Sequence, residues 1–165
     1  MMNFLELKEL YRKRILEGVG VMANSAVNYF ENNITQQKDV RGNDFDRRKY
    51  DTRERVGRAI LVKTGNLRRS IKIKNITNNS VEITADMTYA EIHNEGGEII
   101  VTQKMKKFFW AKFYEAQGQD ASFWRGMALK KIGEKIIIPQ REFMAETPEL
   151  QDLLQKEFQA YLNGI

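Results

Sequence analysis

At 165 residues and 42% hydrophobic content, the chain can bury one sizeable core and is too apolar for wholesale disorder. It contains no cysteine, which excludes a disulfide framework, a thiolate metal site and a Cys nucleophile. A net charge of +5 and a pI near 9.4 favour contact with DNA or an acidic protein face, but 30% charged residues of both signs also suit an ordinary solvated surface.

The first residues, Met1 to Lys8, lack a basic stretch ahead of an apolar run, so no signal peptide is expected. No stretch approaches the roughly 20 apolar residues of a membrane span, and no membrane partner is expected. From Asn3 to Ile34, apolar groups recur at Leu7, Leu10/Tyr11, Ile15, Val19, Met22/Ala23, Ala26/Val27, Phe30 and Ile34. Spacing of three and four predicts one long helix with a single apolar stripe. Gly18 and Gly20 weaken that helix and mark a bend or a place where another backbone comes close.

Residues 36–58 form the least core-like stretch. Eight Lys or Arg face five Asp or Glu there, a local net of +3. We expect a mobile basic arm or loop, with Val40, Phe45, Tyr50 and Val56 as its available anchors. Arg47, Arg48, Lys49, Arg53 and Arg55 are its candidate contacts for DNA or another subunit.

The pattern changes at Ala59. After the apolar run 59–62, Thr64-Gly65 turns the chain into an alternating segment, Leu67 to Lys74. Leu67, Ile71 and Ile73 would face one side of a strand, and Arg68, Ser70, Lys72 and Lys74 the other. A turn at Asn78-Asn79-Ser80 leads to a second alternating run, Val81 to Asp86, which predicts an antiparallel hairpin. Thr88 to Asn94 reads as a short helical turn ended by Gly96-Gly97, and 98–102 as a third strand. Met105 to Glu115 and Ser122 to Lys131 read as helices, with Phe108, Phe109, Trp110, Phe113 and Tyr114 crowded on the first. Lys135 to Ile138 is a fourth strand closed by Pro139. Thr147, Pro148 and Glu149 then start a C-terminal helix whose stripe is Leu150, Leu153/Leu154, Phe158 and Tyr161/Leu162, with Gly164 at its end. The expected class is α+β: a small, mostly antiparallel sheet, a long N-terminal helix, an inserted helical segment over 104–133 and a C-terminal helix, all in one domain, 1–165.

Chemistry is sparse. His93 is the single histidine, and no Gly-x-Ser-x-Gly elbow is present. Tyr89 and His93 would sit one helical turn apart, which suits a packed His that orders a loop. Glu91, Glu95 and Glu98 stand near His93 without a recognised metal spacing. The segment 64–70 lacks the second Gly and the Gly-Lys-Ser/Thr ending of a P-loop. The aromatics at 108–113 share helical spacing, which favours core or subunit contact over base stacking. No enzyme activity, cofactor or metal is expected.

Three short motifs remain. The first is Leu61, Thr64, Gly65, Leu67, Arg68, Ser70 and Ile71; the second is Tyr89, Ala90, Ile92, His93, Gly96 and Gly97; the third is Ile138, Pro139, Arg141 and Phe143. In this order and at these intervals they resemble the phage virion morphogenesis family, the Mu-like tail completion proteins. The resemblance covers roughly Ala59 to Phe143 and the leading helix. Where the family carries a Trp-containing motif before Ala59, this chain offers Phe45 and Tyr50. The resemblance implies a structural, non-catalytic protein of the virion tail, assembled in the bacterial host cytoplasm. Such proteins finish the head-proximal end of the tail and support head–tail joining as rings. Its implied partners are further copies of itself, the tail tube and head–tail connector proteins. In such a ring the basic arm from Lys38 to Arg58 would order on neighbouring subunits or line the lumen, in non-specific contact with DNA. The competing expectation is a small basic nucleic-acid-binding domain, which explains the pI and the arm but not the ordered motifs.

Overall fold

The structure, a computed structural model, describes residues 3–48 and 58–164. Helix α1 spans Phe4–Gln36. Asn3 caps it with a full capping box: its side chain accepts from the Glu6 amide, and the Glu6 carboxylate accepts from the Asn3 amide, each at 2.9 Å. Gln37 ends it with a left-handed backbone. The expected stripe is buried in the C-terminal half of the helix, at Ala23, Ala26, Phe30 and Ile34.

Residues 37–48 fold back on α1 as a tight hairpin. Asp39 organises its turn by accepting from the amides of Arg41 and Asn43, and Lys38 bridges to Asp44. Val40 and Phe45, two of the four anticipated anchors, are 1% and 6% exposed. The Val40 amide donates to Glu142 O, and its carbonyl accepts from the Tyr29 hydroxyl. Tyr50 and Val56, with the rest of 49–57, lie outside the described residues.

The segment read as one strand from Leu67 divides in two. Asn66–Arg69 is a helical turn, α2, and strand β1 begins at Ile71 and runs to Ile76. The cause is local: Gly65 takes φ +70° at the N-terminus of α2, and the amides of Arg69 and Ser70 bond back to Gly65 O and Asn66 O. Alternation across a strand therefore does not relate Leu67 to Arg68. Strand β2 (Val81–Ala85) pairs antiparallel with β1, as expected. A register shift between Ile73 and Asn75 moves the inward set from Ile71 and Ile73 to Ile76, so these three oppose Ala85, Ile83 and Val81.

Helix α3 (Ala90–Glu95) follows, then β3 (Gly97–Ile100), α4 (Gln103–Glu115), α5 (Gln119–Leu129), β4 (Lys135–Ile138) and α6 (Pro148–Asn163). Strand β3 pairs antiparallel with β4, from Gly97↔Ile138 to Ile100↔Lys135. The architecture is α+β, with two separate two-stranded ribbons in place of the single small sheet expected. The chain leaves the first ribbon through α3, and beyond β4 the Arg141 amide bonds to His93 O, fixing the second ribbon against α3 instead of β2.

The main core gathers Ala26, Phe30, Ile34, Phe45, Leu67, Ile71, Ala90, Phe143 and Leu150. Helices α4 and α5 are an excursion between β3 and β4 and contribute nothing to that cluster. They pack on each other, with Trp124 meeting Phe108 and Phe109, and bury Phe109 and Ala128. Helix α6 lies along α1, where Gly18 admits the aromatic rings of Phe158 and Tyr161 in place of the backbone expected there. A Cβ on Gly18 would stand 2.5 Å from the Phe158 ring. Nothing lies within 4 Å of such a Cβ on Gly20.

Candidate functional site

The three motifs converge on one region of the core. From the first, Leu67 and Ile71 are buried beside Phe143 of the third. Ser70 is buried with its Oγ donating to Leu67 O at 2.7 Å, which satisfies the hydroxyl inside the turn. Thr64 offers its carbonyl to Arg69 Nη2 at 2.9 Å. Arg68 is half-buried and reaches Thr35 on α1 at 3.4 Å.

The second motif meets the third through the backbone. Gly96 has φ +74°, and a Cβ there would lie 2.9 Å from the Gln140 amide nitrogen, so both its conformation and its surroundings require glycine. A Cβ on Gly97 would press on Ile92 at 3.3 Å. Tyr89 and His93 stack edge to face with centroids 6.0 Å apart, as their one-turn spacing implies. The ordering contact of His93 is its carbonyl, which accepts from the Arg141 amide at 2.8 Å, whereas its ring Nδ1 is buried without a hydrogen-bond partner. Burial, reinforced by the positive charge of Arg141, holds the imidazole pKa below its ordinary value and keeps the ring neutral.

Arg141 is 5% exposed. Its Nη2 donates to Asp46 O at 3.1 Å, and its Nε has no partner. Burial and then the nearby Arg48 lower its pKa, with Asp46 opposing them. The third motif is also gripped by residues that sequence reasoning missed. Asn33 donates to Phe143 O, and Asn94 makes a paired exchange with the backbone of Met144, both bonds at 2.9 Å. A polar residue in the last turn of a helix gives no sign in the sequence that its amide will clasp a loop far along the chain.

Of the arm residues, Arg47 is exposed, while Arg48 donates to the carbonyls of Arg58 and Ala59 and so braces the point where the described chain resumes. Lys49, Arg53 and Arg55 lie outside the described residues. A larger charge asymmetry was overlooked in the sequence. Residues 104–133 hold seven Lys or Arg against two Asp or Glu, so this excursion carries the whole net charge of +5 and the rest of the chain balances to zero.

Nothing in this constellation resembles a reaction centre. Among the described residues, no group of three or more His, Asp or Glu is placed to hold a metal ion, and no helix is long and apolar enough to cross a membrane. The motif residues bond to backbone, fill core or permit close approach, which is the work of a scaffold.

Comparison with known proteins agrees with this. The model of the phage virion morphogenesis family matches residues 6–163. No curated protein and no solved structure matches the chain. With nearly the full length matched, the chain belongs to the phage virion morphogenesis family.

Proposed function

We propose that this protein completes the head-proximal end of a phage tail and supports head–tail joining, assembling there as a ring in the bacterial host cytoplasm. Membership of a structural morphogenesis family carries this reading. It is supported by the use of all three motifs as scaffold, which leaves the outer surfaces for assembly contacts. The expected neighbours are other copies of the chain, the tail tube and the head–tail connector. The basic residues Arg47, Arg48 and Lys49 and the basic excursion at 104–133 offer diffuse attraction to DNA passing through a lumen, with no need for sequence readout. Immunogold labelling of purified particles tests the location: label at the head–tail junction supports the proposal, and label at the distal tip or none on particles contradicts it.

The alternative, a small basic nucleic-acid-binding domain, draws support from the concentration of net charge in one helical hairpin. The two readings separate on duplex DNA at physiological salt. Tight, steeply salt-dependent binding by the isolated chain favours the alternative.

A further inference from the structure

Helix α1 is longer than the body it packs on. Its C-terminal half is buried, and α6 covers it as far as Gly18, where Phe158 and Tyr161 approach. Toward the N-terminus from there, Phe4, Leu7, Tyr11 and Ile15 are 78%, 38%, 59% and 40% exposed. Their spacing of three and four aligns them on one face. At roughly 100° per residue, Lys8 and Arg14 flank that face, while Glu6, Glu9 and Glu17 fall away from it. Glu9 and Glu17 are engaged with Arg12 and Lys13 along the same helix. The exposed stripe is thus an apolar ridge with cationic edges.

The same chain carries a complementary surface. A groove of about 400 Å³ lies between α1, β2 and the start of α6, lined by Ala26, Phe30, Ile83, Met144, Leu150 and Leu154 among others. Glu146 stands in its wall, and no Lys or Arg lines it. An amphipathic helix docks into such a groove through anchors at positions i, i+3 and i+7, the spacing of Phe4, Leu7 and Tyr11. Ridge and groove cannot meet within one copy. Both involve α1, and from Leu7 to Ala26 that continuous helix spans nineteen residues, roughly 28 Å.

We propose that the N-terminal turns of α1 from one copy dock into the α1–β2–α6 groove of a second copy, with Lys8, on one edge of the ridge beside Leu7 and Tyr11, facing Glu146. Ridge and groove are different patches, so the contact is heterologous and propagates head to tail until it closes. The proposal rests on the ring reading above and supplies its interface.

The absence of cysteine makes the test clean. Particles are prepared with Leu7→Cys/Leu154→Cys and with each single variant, then treated with a short bismaleimide that cannot span the distance within one copy. A ladder of covalent multimers from the double variant, with no covalent dimer from either single variant, is the expected result. No ladder from particles that carry the double variant at wild-type levels overturns the proposal. So does dimer formation by Leu7→Cys alone, which would pair the ridge with itself. Absence of the wild-type protein from particles would instead strike the tail reading, and the same crosslinking on the purified chain at high concentration then decides the interface.

Discussion

The Arg141 amide donates to the His93 carbonyl at 2.8 Å, so the second and third motifs are joined directly. The guanidinium of the same arginine reaches Asp46 O, 95 residues earlier, and ties the 37–48 hairpin to that junction. One buried residue, bonding to His93 through its amide and to Asp46 through its guanidinium, therefore holds together segments that the sequence keeps far apart.

Replacing Arg141 tests this clasp. Arg141→Ala removes a charge-assisted hydrogen bond and the packing of the side chain's stem, and is expected to lower unfolding free energy by about 2–3 kcal/mol. Arg141→Met keeps most of the volume and removes the unpartnered Nε, so it is expected to cost less. Urea unfolding compares them; a Met variant as unstable as the Ala variant would show that the hydrogen bond, not the packing, dominates.

Gly18 and Gly20 should respond in opposite directions. A Cβ on Gly18 collides with the Phe158 ring, so Gly18→Ala is expected to lose about 1–3 kcal/mol by pushing α6 away. Gly20 is helical with open space around it, and Gly20→Ala is expected to gain about 0.5–1 kcal/mol from helix propensity. Thermal unfolding of the pair would refute the packing of α6 on α1 if both changes proved stabilising.

His93 should make stability fall in mild acid. Its folded pKa lies below the ordinary 6.5, so near and below that value the unfolded chain binds the proton more readily than the folded one. The contribution is complete above 6.5 and is lost as pH falls from there toward the folded value. Because His93 is the single histidine, His93→Gln is expected to flatten the pH dependence of unfolding just below pH 6.5. An unchanged slope in that variant would contradict a half-buried ring held neutral.

Element types were largely legible because period, caps and turn residues agree locally. The three-and-four apolar spacing of α1, the Thr147-Pro148 start of α6 and the Pro139 stop of β4 all stand in the primary sequence. The segment 67–70 misled because a helical turn and a strand both place Leu67 and Ile71 on the core side, and Gly65 decides between them through a backbone angle that composition does not print. Strand pairing was the harder matter. Alternation shows that a strand has a buried face, not which edge it pairs with, so one sheet was expected where two ribbons exist. The motif residues were visible, but their convergence depends on Asn33, Asn94 and Asp46, whose roles arise from contacts distant in sequence.

The α4–α5 excursion should be separable from the fold. Beyond β3 and β4 the ribbon is continued by Val101 N to Glu134 O and Gly133 N to Val101 O, and no residue of 103–131 enters the main core. Replacing 103–131 with a short Gly-containing turn is expected to leave one cooperative unfolding transition and to remove the whole net positive charge. Loss of cooperative unfolding, followed by circular dichroism, would show instead that the hairpin is integral to the core.

The central claim is a role in finishing phage tails. Its most direct test is electron microscopy of an induced lysate from a prophage lacking this gene, beside a complemented control. Full heads next to unjoined tails, or tails of aberrant length, are the predicted result. Intact, infectious particles would contradict the claim.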